Sequence, residues 1–152
     1  MAPAGAASVT SGKRFEQSIR PWFDGTGYLP TYQHSLPSGK PWGGRMVLDV
    51  YVQVANGDRI AISQKNQSGP GSAEEKVWWE LLQLSHLIQS QTVDRAYLVI
   101  MGDGWSTALR NYLFSSGIRQ FLPQLAWGKD WTDALQIVTF DQLTTIIHKR
   151  SL

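Results

Sequence analysis

The sequence predicts an α/β fold, a mixed β-sheet flanked by helices, and three observations predict it. Two β-branched, alternating runs, RMVLDVYVQV and RIAISQKNQ, flank ANGD, a strong hairpin signal. Amphipathic helical stretches precede and follow that pair. A continuous apolar run, RAYLVIM, ends in GDG and reads as a strand buried on both faces.

Taken in order, residues 1–12 are small and polar and read as a flexible N-terminal tail, with a single domain over residues 13–152. Phe15, Ile19 and Trp22 recur at helical spacing, and Pro21 places the end of that first helix nearby. The stretch GTGYLPTYQHSLPSGKPWGG is punctuated by Gly and Pro, so it reads mainly as loop with one short strand around Tyr28 to Gln33. After the hairpin, Val77, Leu81, Leu84 and Ile88 line one stripe of a long amphipathic helix. Ser72 is a good N-cap for it, and Glu75 three residues later completes a capping box. RAYLVIM, the helical WSTALRNYLF, a Trp-rich loop, the strand ALQIVTF and the helix DQLTTIIHKR complete the order. Trp127 and Trp131 in that loop read as packing residues.

Composition bounds the chemistry. The 152 residues are 42% hydrophobic and 17% charged, ordinary for a soluble globular domain. No cysteine is present, which removes disulfides and thiolate metal sites and fits a cytoplasmic protein. MAPAGAASVTSG has no apolar h-region, and no apolar run approaches the ~20 residues of a membrane helix. The net charge of +2 permits nucleic-acid binding without a polybasic arm. His34, His86 and His148 lack ligand-like spacing, and Walker A, GxGxxG and GxSxG signatures are absent, GDGWS included.

The hairpin register decides which polar groups meet. A two-residue Asn56-Gly57 turn would put the valines of the first strand and the isoleucines of the second on opposite faces. A three-residue loop, Asn56-Gly57-Asp58, pairs residue 55 with 59 and gathers them on one face. Asp49, Tyr51, Gln53, Arg59, Ala61, Ser63, Lys65 and Gln67 then share the other face, with Asp49 directly across from Lys65. Read alone, that pair is equally a cross-strand salt bridge. Glu74 and Glu80 read as acidic residues suited to the helix dipole or to solvent.

The stretch VLDVYVQVANGDRIAISQKNQSGPGSAEEKV resembles the hairpin and following helix of the PD-(D/E)xK nuclease superfamily, which has the restriction-endonuclease-like fold. The resemblance covers residues 13–147 by element order and 45–77 by motif. It implies that Asp49 binds the metal and that Lys65 orients or deprotonates the attacking water. It also implies that Glu16, on the first helix, completes the metal site, and that the Gln64 carbonyl contributes. Gln67 matches the glutamine two residues beyond the lysine in many members. The sequence departs from the family at Ser63, which stands where an acid belongs; serine is a poor ligand for Mg²⁺. Glu74, Glu75 and Glu80 are the nearby acids able to replace it, with Glu75 preferred.

The resemblance thus implies a divalent-metal-dependent DNA endonuclease using Mg²⁺ or Mn²⁺, of small restriction or homing type. Arg45, Arg59, Lys76 and Lys40 are the expected phosphate contacts. Double-stranded DNA is the expected partner, with a homo-oligomer or a partner subunit supplying a second site and no membrane association. Two rivals stand beside it: a non-catalytic DNA-binding or assembly subunit, favoured by Ser63, and a Holliday-junction resolvase or transposon-end nuclease.

Overall fold

The hairpin at the centre of the prediction is the centre of the sheet. β1 (Leu29–Leu36), β2 (Met46–Gln53) and β3 (Arg59–Asn66) run antiparallel in succession. β4 (Arg95–Met101) and β5 (Leu135–Thr139) follow parallel, in the order β1-β2-β3-β4-β5. The structure, a computed structural model, describes residues 4–68, 73–115, 118 and 133–152. Among the described residues the helices are α1 (Ala4–Phe23), α2 (Ala73–Gln89), α3 (Thr107–Leu113) and α4 (Phe140–His148). Ser72, Trp127 and Trp131 lie outside the described residues.

The sheet buries two cores. On one face Phe15, Ile19 and Phe23 of α1 and Leu143 and Ile147 of α4 pack on Val50, Val52, Ile60, Ile62 and Val99. On the other, Val77, Leu81, Leu84 and Leu87 of α2 pack on Ala61, Ala96, Leu98 and Ile100. Strands β3 and β4 are thereby covered on both sides, which explains their unbroken buried runs and the apolar sequence of β4. β2 changes allegiance along its length. Met46 and Leu48 join the α2 core, whereas Val50 and Val52 join the α1–α4 core, and Asp49 lies at the change.

Three sequence expectations need correction. α1 begins at Ala4, within the expected tail, and ends at Phe23, near Pro21 as expected, but Phe23 rather than Trp22 fills the core place, Trp22 being 44% exposed. Pro21 sits near the end of α1, where it costs one backbone donor rather than the helix. β1 is a full eight-residue strand because β2 offers a long edge to pair with.

The hairpin loop is three residues long, but displaced by one. Val54 N–H donates to the Asp58 carbonyl (2.9 Å) and Gly57 N–H to the Val54 carbonyl (2.8 Å), leaving Ala55-Asn56-Gly57 as the loop. Gly57, with φ +95°, takes the last loop position because the left-handed residue follows the tight turn. Asn56 Oδ1 accepts from Asp58 N–H (2.9 Å) and holds the turn closed. Pairs such as Tyr51↔Ala61 result, so both faces keep their membership. The pairing ends at Val50↔Ile62, so Asp49 is not paired across from Lys65; its carboxylate accepts the Gln64 N–H instead.

Candidate active site

Three elements meet where the carboxyl end of β3 passes the middle of β2 and one flank of α2. Asp49 lies low in a cleft of about 520 Å³ lined also by Lys13, Gln33, Lys40, Arg45, Ser63, Gln64, Lys65, Glu80 and Gln83. Gln64 backbone N–H donates to Asp49 Oδ2 (2.8 Å), and the Gln33 side chain lies beside this carboxylate and favours its charged form. Burial pushes the Asp49 carboxyl above its ordinary value of 3.8. The Gln64 bond and the Lys65 ammonium oppose that rise, and the negative charge of Glu80 adds to it.

Glu80 fills the space that Ser63 leaves. It projects from the second turn of α2 and is 9% exposed. The Ser63 hydroxyl donates to Glu80 Oε1 (2.6 Å), and Lys65 Nζ lies 3.4 Å from Glu80 Oε2. Both carboxylate oxygens are therefore engaged by β3, one by a hydroxyl and one by a cation. A carboxylate from the helix thus stands beside the serine of the strand and is tethered by its hydroxyl.

The other expected site residues lie elsewhere. Glu75 is exposed, and Glu74 Oε1 accepts from Ser106 N–H (2.5 Å) at the start of α3. Glu16 is paired with Arg20 within α1. Neither Glu75 nor Glu16 lines the cleft. Gln67 Nε2 donates to the Gly104 carbonyl (3.1 Å), while the Gln67 carbonyl accepts from Gly104 N–H (2.7 Å). This glutamine ties the end of β3 to the turn after β4. Of the basic residues expected at phosphates, Lys40 and Arg45 line the cleft. Arg59 starts β3, six residues or about 20 Å from Lys65, and is engaged by Asp94. Lys76 is exposed on α2 outside the cleft lining.

Lys13, Gln33 and Gln83 were not singled out by the sequence. Gln33 falls in a segment read mostly as loop and adopts φ +49°, uncommon for a residue with a side chain. That turn of the backbone lies between the pairs Tyr32↔Val50 and His34↔Leu48, beside Asp49.

Two carboxylates and the neighbouring Gln64 carbonyl are hard oxygen donors of the kind a divalent cation takes. Among the described residues no group of three His, Cys, Asp or Glu side chains converges as a metal centre. A cation here would therefore keep several waters, as Mg²⁺ commonly does.

The family model for a PD-(D/E)XK nuclease superfamily domain matches residues 7–150. The chain belongs to the PD-(D/E)XK nuclease superfamily. Its five-stranded mixed sheet with helices on both faces is the restriction-endonuclease-like core of that superfamily. Among solved structures, SfsA of Pyrococcus furiosus in complex with Ca²⁺ is similar at 15% identity and a TM-score of 0.45. That likeness covers 87% of this chain, which spans 56% of the SfsA chain. No curated protein matches. Set against the superfamily's name, this nuclease-family chain reads Asp49, then Ser63-Gln64-Lys65, with Glu80 beside the serine. No helix among the described residues is long and apolar enough to cross a membrane.

Proposed function

We propose that this chain is a divalent-metal-dependent endonuclease that hydrolyses DNA phosphodiester bonds in the Asp49–Glu80–Lys65 cleft. One observation carries the reading. Glu80 stands 2.6 Å from the hydroxyl of Ser63 and 3.4 Å from the ammonium of Lys65, in one cleft with Asp49. Asp49, Glu80 and the Gln64 carbonyl would hold Mg²⁺ or Mn²⁺. Such a cation would supply Lewis acidity and lower the pKa of a bound water.

The remaining work falls to the chain's own groups. Ser63 holds Glu80 in one orientation, and Gln64 N–H does the same for Asp49. The Lys65 ammonium faces the negative charge that grows on the phosphoryl oxygens as water adds and the sugar oxygen departs. Lys13, Lys40 and Arg45 surround the cleft and suit the flanking phosphates. One such cleft per chain cuts one strand, so cleavage of both strands calls for a homo-oligomer or a partner subunit. The cysteine-free composition fits action in the cytoplasm.

A second reading, a nuclease-fold DNA-binding subunit without catalysis, is favoured by the lack of a third acidic group in the cleft among the described residues. The deciding experiment compares wild type with Asp49→Ala, Glu80→Ala and Lys65→Ala on supercoiled and branched DNA with Mg²⁺ or Mn²⁺. Calorimetric titration with Mn²⁺ runs in parallel. Cleavage lost in all three variants, with Mn²⁺ binding lost in the first two, is expected. A wild type that binds DNA but neither cleaves it nor takes up Mn²⁺ establishes the second reading.

A further inference from the structure

Two exposed tryptophans contribute to neither core and lie next to the cleft's lining residues rather than in the lining itself. Trp42, in the β1–β2 connection, is 60% exposed, and Trp79, on α2, is 48% exposed. Their ring centroids are 5.5 Å apart with the planes inclined by 31°. Both are tied to cleft residues. Trp79 immediately precedes Glu80. Trp42 sits in a turn closed by Lys40 N–H to the Gly44 carbonyl (3.0 Å) and Gly43 N–H to the Lys40 carbonyl (2.8 Å). Lys40 and Arg45, on either side of that turn, line the cleft. A Cβ on Gly44 would come within 2.8 Å of Trp42 Nε1, so glycine there lets the indole lie close across the turn. Lys40 Nζ rests 5.3 Å from the Trp42 ring centroid.

We propose that Trp42 and Trp79 form a stacking platform for an unpaired nucleobase of the strand being cut. The preferred substrate is then DNA with a single-stranded segment beside the scissile phosphate, such as a flap, a frayed end or a branch. This inference rests on the nuclease reading of the cleft. Within a duplex both faces of a base are covered by its neighbours, whereas an unpaired base offers a free π-face to an indole. Lys40 is placed for both states. Its ammonium sits over Trp42 in the free protein, and a base stacking there displaces it towards a phosphate. A second copy of this chain is the less favoured cover. A two-fold contact through the tryptophans brings the basic rim of Lys13, Lys40 and Arg45 against itself, whereas a nucleic-acid backbone neutralises it.

Fluorescence anisotropy of the full chain in Ca²⁺, with labelled oligo(dT) and a labelled blunt duplex as probes, tests the platform. Trp42→Ala and Trp79→Ala should each weaken oligo(dT) binding roughly 5- to 150-fold while changing duplex affinity little. Trp42→Phe and Trp79→Phe, which keep an aromatic face, should retain most of the oligo(dT) affinity. Equal losses on both probes, or none on oligo(dT), overturn the platform. So does sedimentation showing that the alanine variants convert a dimer into monomers. A wild type that binds neither probe sinks the nuclease reading as well. A wild type that binds and cuts duplex, with tryptophan variants indifferent to oligo(dT), sinks the platform alone.

Discussion

Asp49→Asn should make the metal-free protein more stable at neutral pH. Burial is the largest influence on this carboxyl and raises its pKa, so the ionised form is less comfortable in the fold than in the unfolded chain. The amide keeps most of the geometry. Its oxygen can accept the Gln64 N–H that now reaches Asp49 Oδ2 at 2.8 Å. Removing a buried charge without losing this bond belongs with single stabilising changes of about 0.5–2 kcal/mol. For a chain of this length that is roughly 1–8 °C in Tm. The sign fixes the pH dependence. Wild type is penalised most above the raised folded pKa, where Asp49 is ionised in both states. As pH falls through that value wild type gains on the variant, and the gap closes below the ordinary value of 3.8. Thermal melts in EDTA from neutral to acid pH measure it. Added Ca²⁺ should then raise the wild-type Tm and leave the variant unmoved. A variant that melts at or below wild type at neutral pH refutes the burial argument, as does a gap that ignores pH.

Ser63→Ala removes a 2.6 Å hydrogen bond to a buried carboxylate and should cost about 1.5–3 kcal/mol in urea denaturation. Glu80→Ser should abolish cleavage, and adding Ser63→Glu should restore part of it, because the carboxylate returns to the strand beside the same space. Gly102→Ala, at φ +87° with its Cβ 2.4 Å from the Gln67 carbonyl oxygen, should lower the urea midpoint by the equivalent of about 1–3 kcal/mol. Arg59→Ala breaks only the exposed pair with Asp94 and should cost at most about 1 kcal/mol without altering DNA binding. Arg45→Ala should instead flatten the salt dependence of DNA binding by about one counterion.

The order of elements was legible because each carries its own periodicity, and the tight turn at Asn56-Gly57 announced the hairpin. Its exact frame was not, since Gly57 fits two loop positions and only the hydrogen bond from Val54 to Asp58 separates them. Asp49 and Lys65 stood out because a two-residue period joins them on one face. Glu80 was harder to choose. Glu74, Glu75 and Glu80 all follow Lys65 within one helix, and which of them points at β3 depends on the rotation of α2. That rotation is set by Val77, Leu81 and Leu84 packing on the sheet. Glu80 lies three residues after the first and one before the second, on the flank that faces Ser63. Gln33 was invisible for another reason: nothing local marks a glutamine that will adopt a left-handed backbone beside an aspartate.

Carrying one acid on a helix and the other on a strand turns the site into a gauge of alignment between two bodies. Asp49, Ser63 and Lys65 move with the sheet, whereas Glu80 moves with α2, and a sliding of about 1 Å would take the 2.6 Å tether beyond hydrogen-bonding range. Substitutions deep under the helix, at Leu84 or Leu87, should therefore weaken cation binding although neither residue lines the cleft. On warming, cation affinity should fade before the sheet melts, since it needs only the helix to loosen. In a chain whose acids both lay on the hairpin, the two losses would coincide.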